Sequence, residues 1–527
     1  MQPVAVERFG VSDTDMTSQL NKLRAANVDT IVVWAQSTPI AQLVRSMEKI
    51  GYYPLLLSSW AADNQSFLDA AGPVHAEKPI FMRTLTDNRN PRQQSLFDRI
   101  AADMKAPSAF PFAAHGYDAV LLLAAAIEQA GSTDGAKVKD ALENLRKPVQ
   151  GVMKSYVHPF TAAKHEAIVA DDLVWTKWKG GKLLPYSDAV IASLTKADYE
   201  GQVAKGTATL SPVAAIGGGT ALTSLLQALF AGLAVGAAYG LVAMGFSVTF
   251  TTTKTLNFSH GDFVSAGSFA GVSVLLLLVG LPMTSSSFQT LMPNAGMQLI
   301  ALLVVLVVAA LLGYLMYLLG IKPFSGKPGM NWVMSTLGFG IVLQSIGLAI
   351  WGPKPIVVPS PLGDEVIRVF GVGIRPQEIL ILVVSVLVMY ALDWSMRKTM
   401  LGKKMRAVAH SPTVASLMGI NVNAVMIGAF LVSSALAGLS GFLLAPIAQA
   451  SLFMGIAVGL KGFSAAMVGG LNNPRGCVIG GFVLGVLEQL INLWQAQWRE
   501  VAVFALVILV LAFRPNGLFG FRTVEKV

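Results

Sequence analysis

Side chains able to do chemistry are sparse in this chain, and the informative ones sit beside or inside apolar runs. The stretch LNFSHGDFVSAG (256–267) gathers Asn257, Ser259, His260 and Asp262 at the mouth of an apolar segment. Lys461 and Glu488 interrupt apolar segments further along. An ionisable group within hydrocarbon is costly, so such residues face a protein interior or a water-filled path and need a partner. Spacing identifies no partner for Glu488. His260 and Asp262 read either as lining a translocation path or as a helix cap with interfacial hydrogen bonds. Lys461 reads either as a path residue or as a side chain that snorkels to the interface.

Phosphate chemistry is not indicated. A P-loop needs a Gly-rich run ending in Gly-Lys-Ser/Thr, whereas the Gly-Lys pairs at 181, 326 and 402 are followed by Leu, Pro and Lys. The one cysteine, Cys477, supplies neither a disulfide framework nor a thiolate metal site. No nucleophile elbow and no metal-ligand spacing appears, so the expectation is a transport component without cofactor or metal rather than an enzyme.

The elements that must position these residues follow from charge and hydropathy. Charged residues make up 13% of the 527-residue chain, about half the share in soluble domains. Residues 1–205 hold 22 basic and 22 acidic residues, and the remainder holds 17 and 8, which carries the whole net charge of +9. That excess lies between apolar runs, which argues for a positive-inside bias and against nucleic acid. Runs long enough to cross a ~30 Å core fall near 222–250, 258–281, 297–320, 331–351, 376–394, 424–446, 478–495 and 499–514. A shorter, glycine-rich piece at 456–471 makes the count eight or nine. The densest basic cluster, Arg397, Lys398, Lys403, Lys404 and Arg406, is placed in the cytoplasm. Lys254, Lys322 and Lys327 then also fall inside, and Asp364 and Glu365 outside. Nine spans put Arg514, Arg522 and Lys526 inside as well, so nine is favoured. The first 200 residues are then extracytoplasmic and the C-terminus cytoplasmic.

Just after the basic cluster, AVAHSPTVASLMG (407–419) is too polar to span. It reads either as a short helix at the cytoplasmic surface or as an ordinary amphipathic connector. GLKGFSAAMVGGLNNPRGCVIGG (459–481) is dense in small residues, which permit close backbone approach between membrane helices.

The first 200 residues have a different rhythm. VAVERFGV is β-rich, a helix follows over 16–26, and DTIVVWA (29–35) is a near-continuous apolar run of the kind a strand covered on both faces requires. A helix over 39–50, the strand PLLLSSW and a helix over 64–71 complete a βαβαβ pattern, which implies a parallel sheet with right-handed crossovers. A longer helix covers 113–130, and DDLVWTKWKGGKL reads as a hairpin over Gly180-Gly181. Residues 201–220 are rich in Gly, Ala, Ser and Thr, as in a flexible linker. The predicted organisation is therefore a partial α/β domain (1–200), a linker (201–220) and an α-helical polytopic membrane domain (221–520). MQPVAVERFG lacks the basic-then-apolar layout of a signal peptide.

These patterns carry two resemblances. AANVDTIVVWA, IAQLVRSMEKIGYYP and HGYDAVLLLAAAIEQAGSTDG resemble the second half of a type I periplasmic binding protein of the Leu/Ile/Val-binding class. Such proteins bind ligand between two lobes, and the resemblance implies that the first lobe comes mostly from sequence N-terminal to the part present here. The class also places an acidic residue near the end of the strand matched by PLLLSSW, where this chain reads Ser58-Ser59-Trp60. Ser58, Trp60 and Tyr117 are candidate cleft remnants or ordinary packing residues. The half domain fits either a binding-protein–permease fusion that begins upstream or a deletion that joined two neighbouring genes. The pattern N-F-S-H-G-D, the R-A-V-A…A-S-L-M-G-I-N run, K-G-F-S-A-A-M-V-G-G-L and the terminal R-P-N-G-L-F-G resemble the branched-chain amino-acid ABC permease family over 222–520.

The second resemblance implies a subunit of a bacterial inner-membrane importer for branched-chain amino acids or related small polar solutes such as amides and urea. Its implied partners are a sister permease, two ABC ATPase subunits, a complete periplasmic binding protein and membrane lipid. By position, Ala407, Val408, Ala409, His410, Ala415, Ser416, Leu417, Met418 and Gly419 belong to the ATPase-coupling helix. Asn257, His260, Asp262, Lys461 and Glu488 are candidates for the translocation path. A secondary transporter with a solute-sensing outer domain is the rival reading, and it needs ion-coupling groups in the spans.

Overall fold

A computed structural model describes residues 3–10, 13–104, 110–187, 221–283, 288, 293–324, 330–353, 355–363, 365–369 and 371–520. The linker at 201–220 and Lys327, Asp364, Arg522 and Lys526 lie outside the described residues. The chain divides into two compact units. One joins residues 1–27 and 46–52 to the membrane helices from 217 onward, and the other comprises 28–45 and 53–216.

The second unit is built on a five-stranded sheet. β1 (Thr30–Val33), β2 (Leu55–Ser58) and β3 (Ile80–Arg83) are parallel, and β6 (Val174–Lys179) and β7 (Lys182–Pro185) continue antiparallel in the order β1-β2-β3-β6-β7. β6 and β7 meet at Gly180-Gly181, both at positive φ, as a two-residue hairpin turn requires. The crossovers are α2 (Ser37–Ile50) and α3 (Gln65–Ala71), with the Asn64 side chain capping α3 through the Phe67 N–H. α4 (Pro91–Met104), α5 (Phe110–Ala130) and α6 (Gly135–Glu143) follow. The buried Asp118 carboxylate of α5 accepts from the Val152 and Met153 N–H groups and from the Tyr156 hydroxyl. It thereby fastens the small hairpin β4 (Val149–Gln150)–β5 (Ser155–Tyr156) to the helix.

Two expectations for this region are corrected. Residues 3–10 form no strand. β1 is an edge strand with one open face, and Val32 and Trp34 remain 75% and 86% exposed. An apolar run in sequence does not distinguish a strand covered on both faces from one whose second cover is missing.

Among the described residues of the membrane unit, eight helical segments are long and apolar enough to span. They are α7 (Ala221–Thr253), α8 (His260–Val279), α9 (Ala295–Met316, extended by a π turn over Tyr317–Ile321), α10 (Asn331–Trp351), α11 (Pro376–Lys398), α14 (Val422–Ala448), α16 (Pro474–Trp494) and α17 (Arg499–Phe513, preceded without a break by a 3-10 turn over Ala496–Trp498 that makes the segment 18 residues long). The glycine-rich piece is α15 (Met454–Gly469). Its 16 residues extend about 24 Å at 1.5 Å per residue, and it returns the chain to the end of the bundle where Arg475, at the start of α16, pairs with Asp393 near the end of α11. Between α10 and α11 lies a hairpin of β8 (Ile367–Val369) and β9 (Val372–Ile374). The Gln227 amide binds it at both ends of Gly373, donating to the carbonyl at 2.8 Å and accepting from the N–H at 3.1 Å.

α7 is the axis of the bundle. Its small residues let α16 approach at backbone distance: a Cβ on Gly485 would lie 2.4 Å from the Gly232 carbonyl oxygen, and one on Gly236 would lie 2.8 Å from that of Gly481. Around this seam Leu241, Val242 and Met244 pack with Phe263 of α8, Phe430 of α14 and Leu484 of α16. Gly485→Ala should therefore destabilise the bundle by about 1–3 kcal/mol, as overpacking does. Gly428→Ala, where a Cβ meets open space, should not. Denaturant unfolding of the two variants in detergent checks this.

Candidate functional site

The glycine face of α16 also carries its charge. Gly481, Gly485, Glu488 and Asn492 recur at spacings of four and three, so the carboxylate projects from the same stripe that touches α7. Glu488 is 4% exposed. Lys461 of α15 donates to it at 2.7 Å and the Tyr239 hydroxyl of α7 donates at 3.0 Å. Arg499 Nε at the start of α17 lies 3.3 Å away. Glu500 closes the set at 3.0 Å from the Lys461 ammonium and 3.3 Å from the Arg499 guanidinium. Two cations and two anions thus cancel in one cluster that joins four helices, with Lys461, Glu488 and Arg499 buried and Glu500 half-exposed at its edge. Lys461 turns inward to this cluster rather than snorkelling, because Glu488 offers a charge partner that hydrocarbon would not. Sequence reasoning missed Tyr239, Arg499 and Glu500. The adjacent Arg-Glu pair opening the last span was the available signal, and it reads equally well as an interfacial flank.

The LNFSHGD residues serve one local turn and two separate helix interfaces. The Asn257 side-chain oxygen accepts from the Ser259 N–H at 3.1 Å and hydroxyl at 2.9 Å, ordering the turn into α8. His260 is fully buried, with Nε2 3.2 Å from the Val242 carbonyl oxygen of α7 and its ring 4.4 Å from that of Phe246. A Cβ on Gly245 would lie 2.6 Å from that nitrogen, so a glycine is required opposite the ring. Asp262, two residues on and therefore on another face of α8, accepts from Gln344 of α10 at 2.7 Å. His260 and Asp262 are not brought together, and each is held by a different neighbouring helix.

The polar stretch after the basic cluster is two helices rather than one. Ala407–His410 end α12 (Met400–His410), which absorbs Lys403, Lys404 and Arg406, and α13 (Pro412–Leu417) then begins. The break is local chemistry: the Ser411 hydroxyl caps α13 through the Val414 N–H, and Pro412 at the first helical position cannot continue α12. Gly419 at φ +78° ends the motif. Ala415 and Val408 face inward, while Leu417 and Met418 are 82% and 78% exposed. At this end of the bundle Arg475 of α16 makes a two-point bond of 2.7 Å to each oxygen of Asp393 on α11.

In the second unit, Ser58 is buried at the end of β2, and Trp60 follows in a single turn of 3-10 helix. The Trp60 ring lies 6.2 Å from Phe112 and 5.8 Å from His115 of α5, and His115 Nε2 is 2.8 Å from the Thr84 hydroxyl. Tyr117 is half-exposed on a different face of α5 from His115. Asp63 is buried near the same strand ends, 3.7 Å from Arg83 Nε. Burial raises the Asp63 carboxyl to about 6 despite the Arg83 charge.

Comparison with known proteins decides the family. The family model for the permease component of branched-chain amino acid transport systems matches residues 228–512, more than half of the chain. The chain belongs to the branched-chain amino acid transport permease family. A high-affinity branched-chain amino acid transport system permease protein of Pseudomonas aeruginosa is 31% identical over 308 residues, covering 57% of this chain and 98% of the relative. A counterpart in Escherichia coli K12 is 29% identical, covering 57% and 97%. A periplasmic-binding-protein model matches residues 2–182 of this permease. A solved type 1 periplasmic binding protein from Bordetella pertussis aligns at 25% identity and TM-score 0.31, over 35% of this chain and 54% of that protein. The permease thus spans about half the length of the solved binding proteins it matches.

Two outcomes follow for these sites. Lys461→Met and Glu488→Leu should each cost about 3 kcal/mol, because each strands a buried charge, and the double variant should cost less than their sum; a double-mutant cycle of unfolding free energies reads this. For Asp63, the folded value of about 6 exceeds the unfolded value of roughly 3.9. Its contribution is therefore fully present below about pH 4 and is lost as pH rises through 6. Asp63→Asn should consequently gain thermal stability relative to the parent between pH 4.5 and pH 7.5 (approximate settings chosen to bracket that window), read by parallel melts.

Proposed function

We propose that this permease is the membrane-spanning subunit of an ABC importer for leucine, isoleucine and valine, working beside a sister permease and driven by two separate ATPase subunits. The observation that carries the coupling is α13. Its tip, Leu417-Met418, is an apolar knob held rigidly out from the bundle by a serine cap, an N1 proline and the buried Ala415. A short rigid helix of this kind seats in a groove on a partner and transmits displacement without unfolding. The basic residues Arg397, Lys398, Lys403, Lys404 and Arg406 lie at the same end, which supports a cytoplasmic position for α13 under the positive-inside bias. On that orientation α11 and α17 begin at the outer surface, and the binding-protein-like residues are extracytoplasmic.

Substrate class rests on the names of the relatives, which are branched-chain amino acid permeases; amides and urea are alternative cargoes. A complete binding protein that delivers the ligand is a further proposed partner. The secondary-transporter reading draws less support, because Lys461 and Glu488, the ionisable pair that would serve as a relay, are engaged with each other.

Uptake of labelled leucine, isoleucine, valine and urea into proteoliposomes holding this chain with its ATPase and sister subunits is the test. Leu417→Glu with Met418→Glu should abolish ATP-dependent uptake of the branched-chain amino acids while leaving membrane insertion intact. Uptake that continues without any ATPase subunit would overturn the proposal.

A further inference from the structure

The Asp13-Thr14-Asp15 turn precedes α1 (Thr17–Ala25), and it is anchored to the membrane helices through charge. Asp13 pairs with Arg499 at the start of α17, while its other oxygen accepts from the Gly10 N–H at 2.8 Å. Asp15 binds the Lys49 ammonium at 2.6 Å, and Lys49, only 1% exposed, also reaches Glu378 in the first turn of α11 at 2.6 Å. Glu378 in turn accepts from the Arg375 N–H at 3.1 Å. Burial pushes the Asp15 carboxyl up, but the charge and hydrogen bond of Lys49 outweigh it and hold it at about 2. Gln19 donates to Asn492 at 3.1 Å and Lys22 to the Trp494 carbonyl at 2.9 Å, both near the end of α16. A Met16 N–H to Ser46 hydroxyl bond of 3.0 Å joins residues 13–25 to residues 46–52.

The distribution of charge makes this a separable contact. Asp15 and Lys49 cancel within the N-terminal residues, and Lys461, Arg499, Glu488 and Glu500 cancel within the helices. Only Asp13 and Glu378 lose a countercharge across the contact, and each keeps a backbone N–H on its own side. The face that α1 buries is mostly polar (Thr17, Ser18, Gln19 and Asn21 beside Leu20), the composition of surfaces that separate rather than of a permanent core. We propose that residues 13–25 and 46–52 form a releasable strap, docked through Asp13 on Arg499 and Lys49 on Glu378, that pins α11, α16 and α17 to one another at the end where α11 and α17 begin. While docked it holds those helices in one arrangement, and its release frees them to move apart.

Hydrogen exchange on the full chain in nanodiscs tests the strap without reference to transport, so it stands or falls separately from the importer assignment. Asp13→Asn and Glu378→Gln each break one leg while preserving side-chain shape and the backbone hydrogen bond. Each alone should lower amide protection throughout 17–25 and 46–52 together by at least about tenfold, the scale of a local opening shifted by one lost charge pair. α7 and α16 should keep their protection. Unchanged protection in both variants, or a loss confined to the few residues beside the substitution, overturns the cooperative strap. Loss that extends to α7 and α16 overturns it as well, by making these residues part of the bundle core.

Discussion

Everything in the membrane unit hangs on the seam between α7 and α16. Gly232 and Gly236 face Gly481 and Gly485 at distances no side chain could share. With lipid on the outside, helix association gains little from the hydrophobic effect and depends on close van der Waals packing. That closeness also creates the dry environment in which Glu488, one turn beyond Gly485, must find countercharges. Burying Lys461, Glu488 and Arg499 costs heavily, and the cost is offset only because the geometry lets each anion of the cluster, the half-exposed Glu500 included, meet more than one cation or hydroxyl.

The same seam gives the bundle two chemically different ends. At one, Arg475 and Asp393 tie α16 to α11 beside α12 and α13, where basic residues and an exposed apolar tip are displayed. At the other, the Lys461–Glu488–Arg499–Glu500 cluster meets Asp13, and Glu378 meets Lys49. A rigid axis with a projecting helix at one end and ion pairs at the other is suited to carrying displacement along its length. The LNFSHGD segment contributes by packing: its histidine and aspartate lock α8 against different neighbours.

Much of this was legible in the residues. Hydropathy and basic clustering located the spans to within a few residues, because hydrocarbon thickness and backbone hydrogen bonding leave few alternatives. The succession β1-α2-β2-α3 and the Gly180-Gly181 turn were readable from period and turn chemistry, whereas the expected first strand is absent and β3 was not anticipated. The break at Ser411-Pro412 was present in the sequence as a cap followed by an N1 proline, yet the polarity of 407–419 favoured a single element. The exposed face of β1 left no trace, since an apolar strand looks the same whether or not a layer covers it.

The sequence by itself therefore determined the class of protein, the positions of the long apolar runs, and that Glu488 needed a partner, because these follow from local composition against a fixed solvent. Only the tertiary structure decided that Lys461 and Glu488 are each other's partners, that Tyr239, Arg499 and Glu500 complete the cluster, and that His260 and Asp262 serve separate interfaces. Pairing across helices depends on rotation and crossing geometry summed over hundreds of residues, and no spacing along the chain encodes it locally.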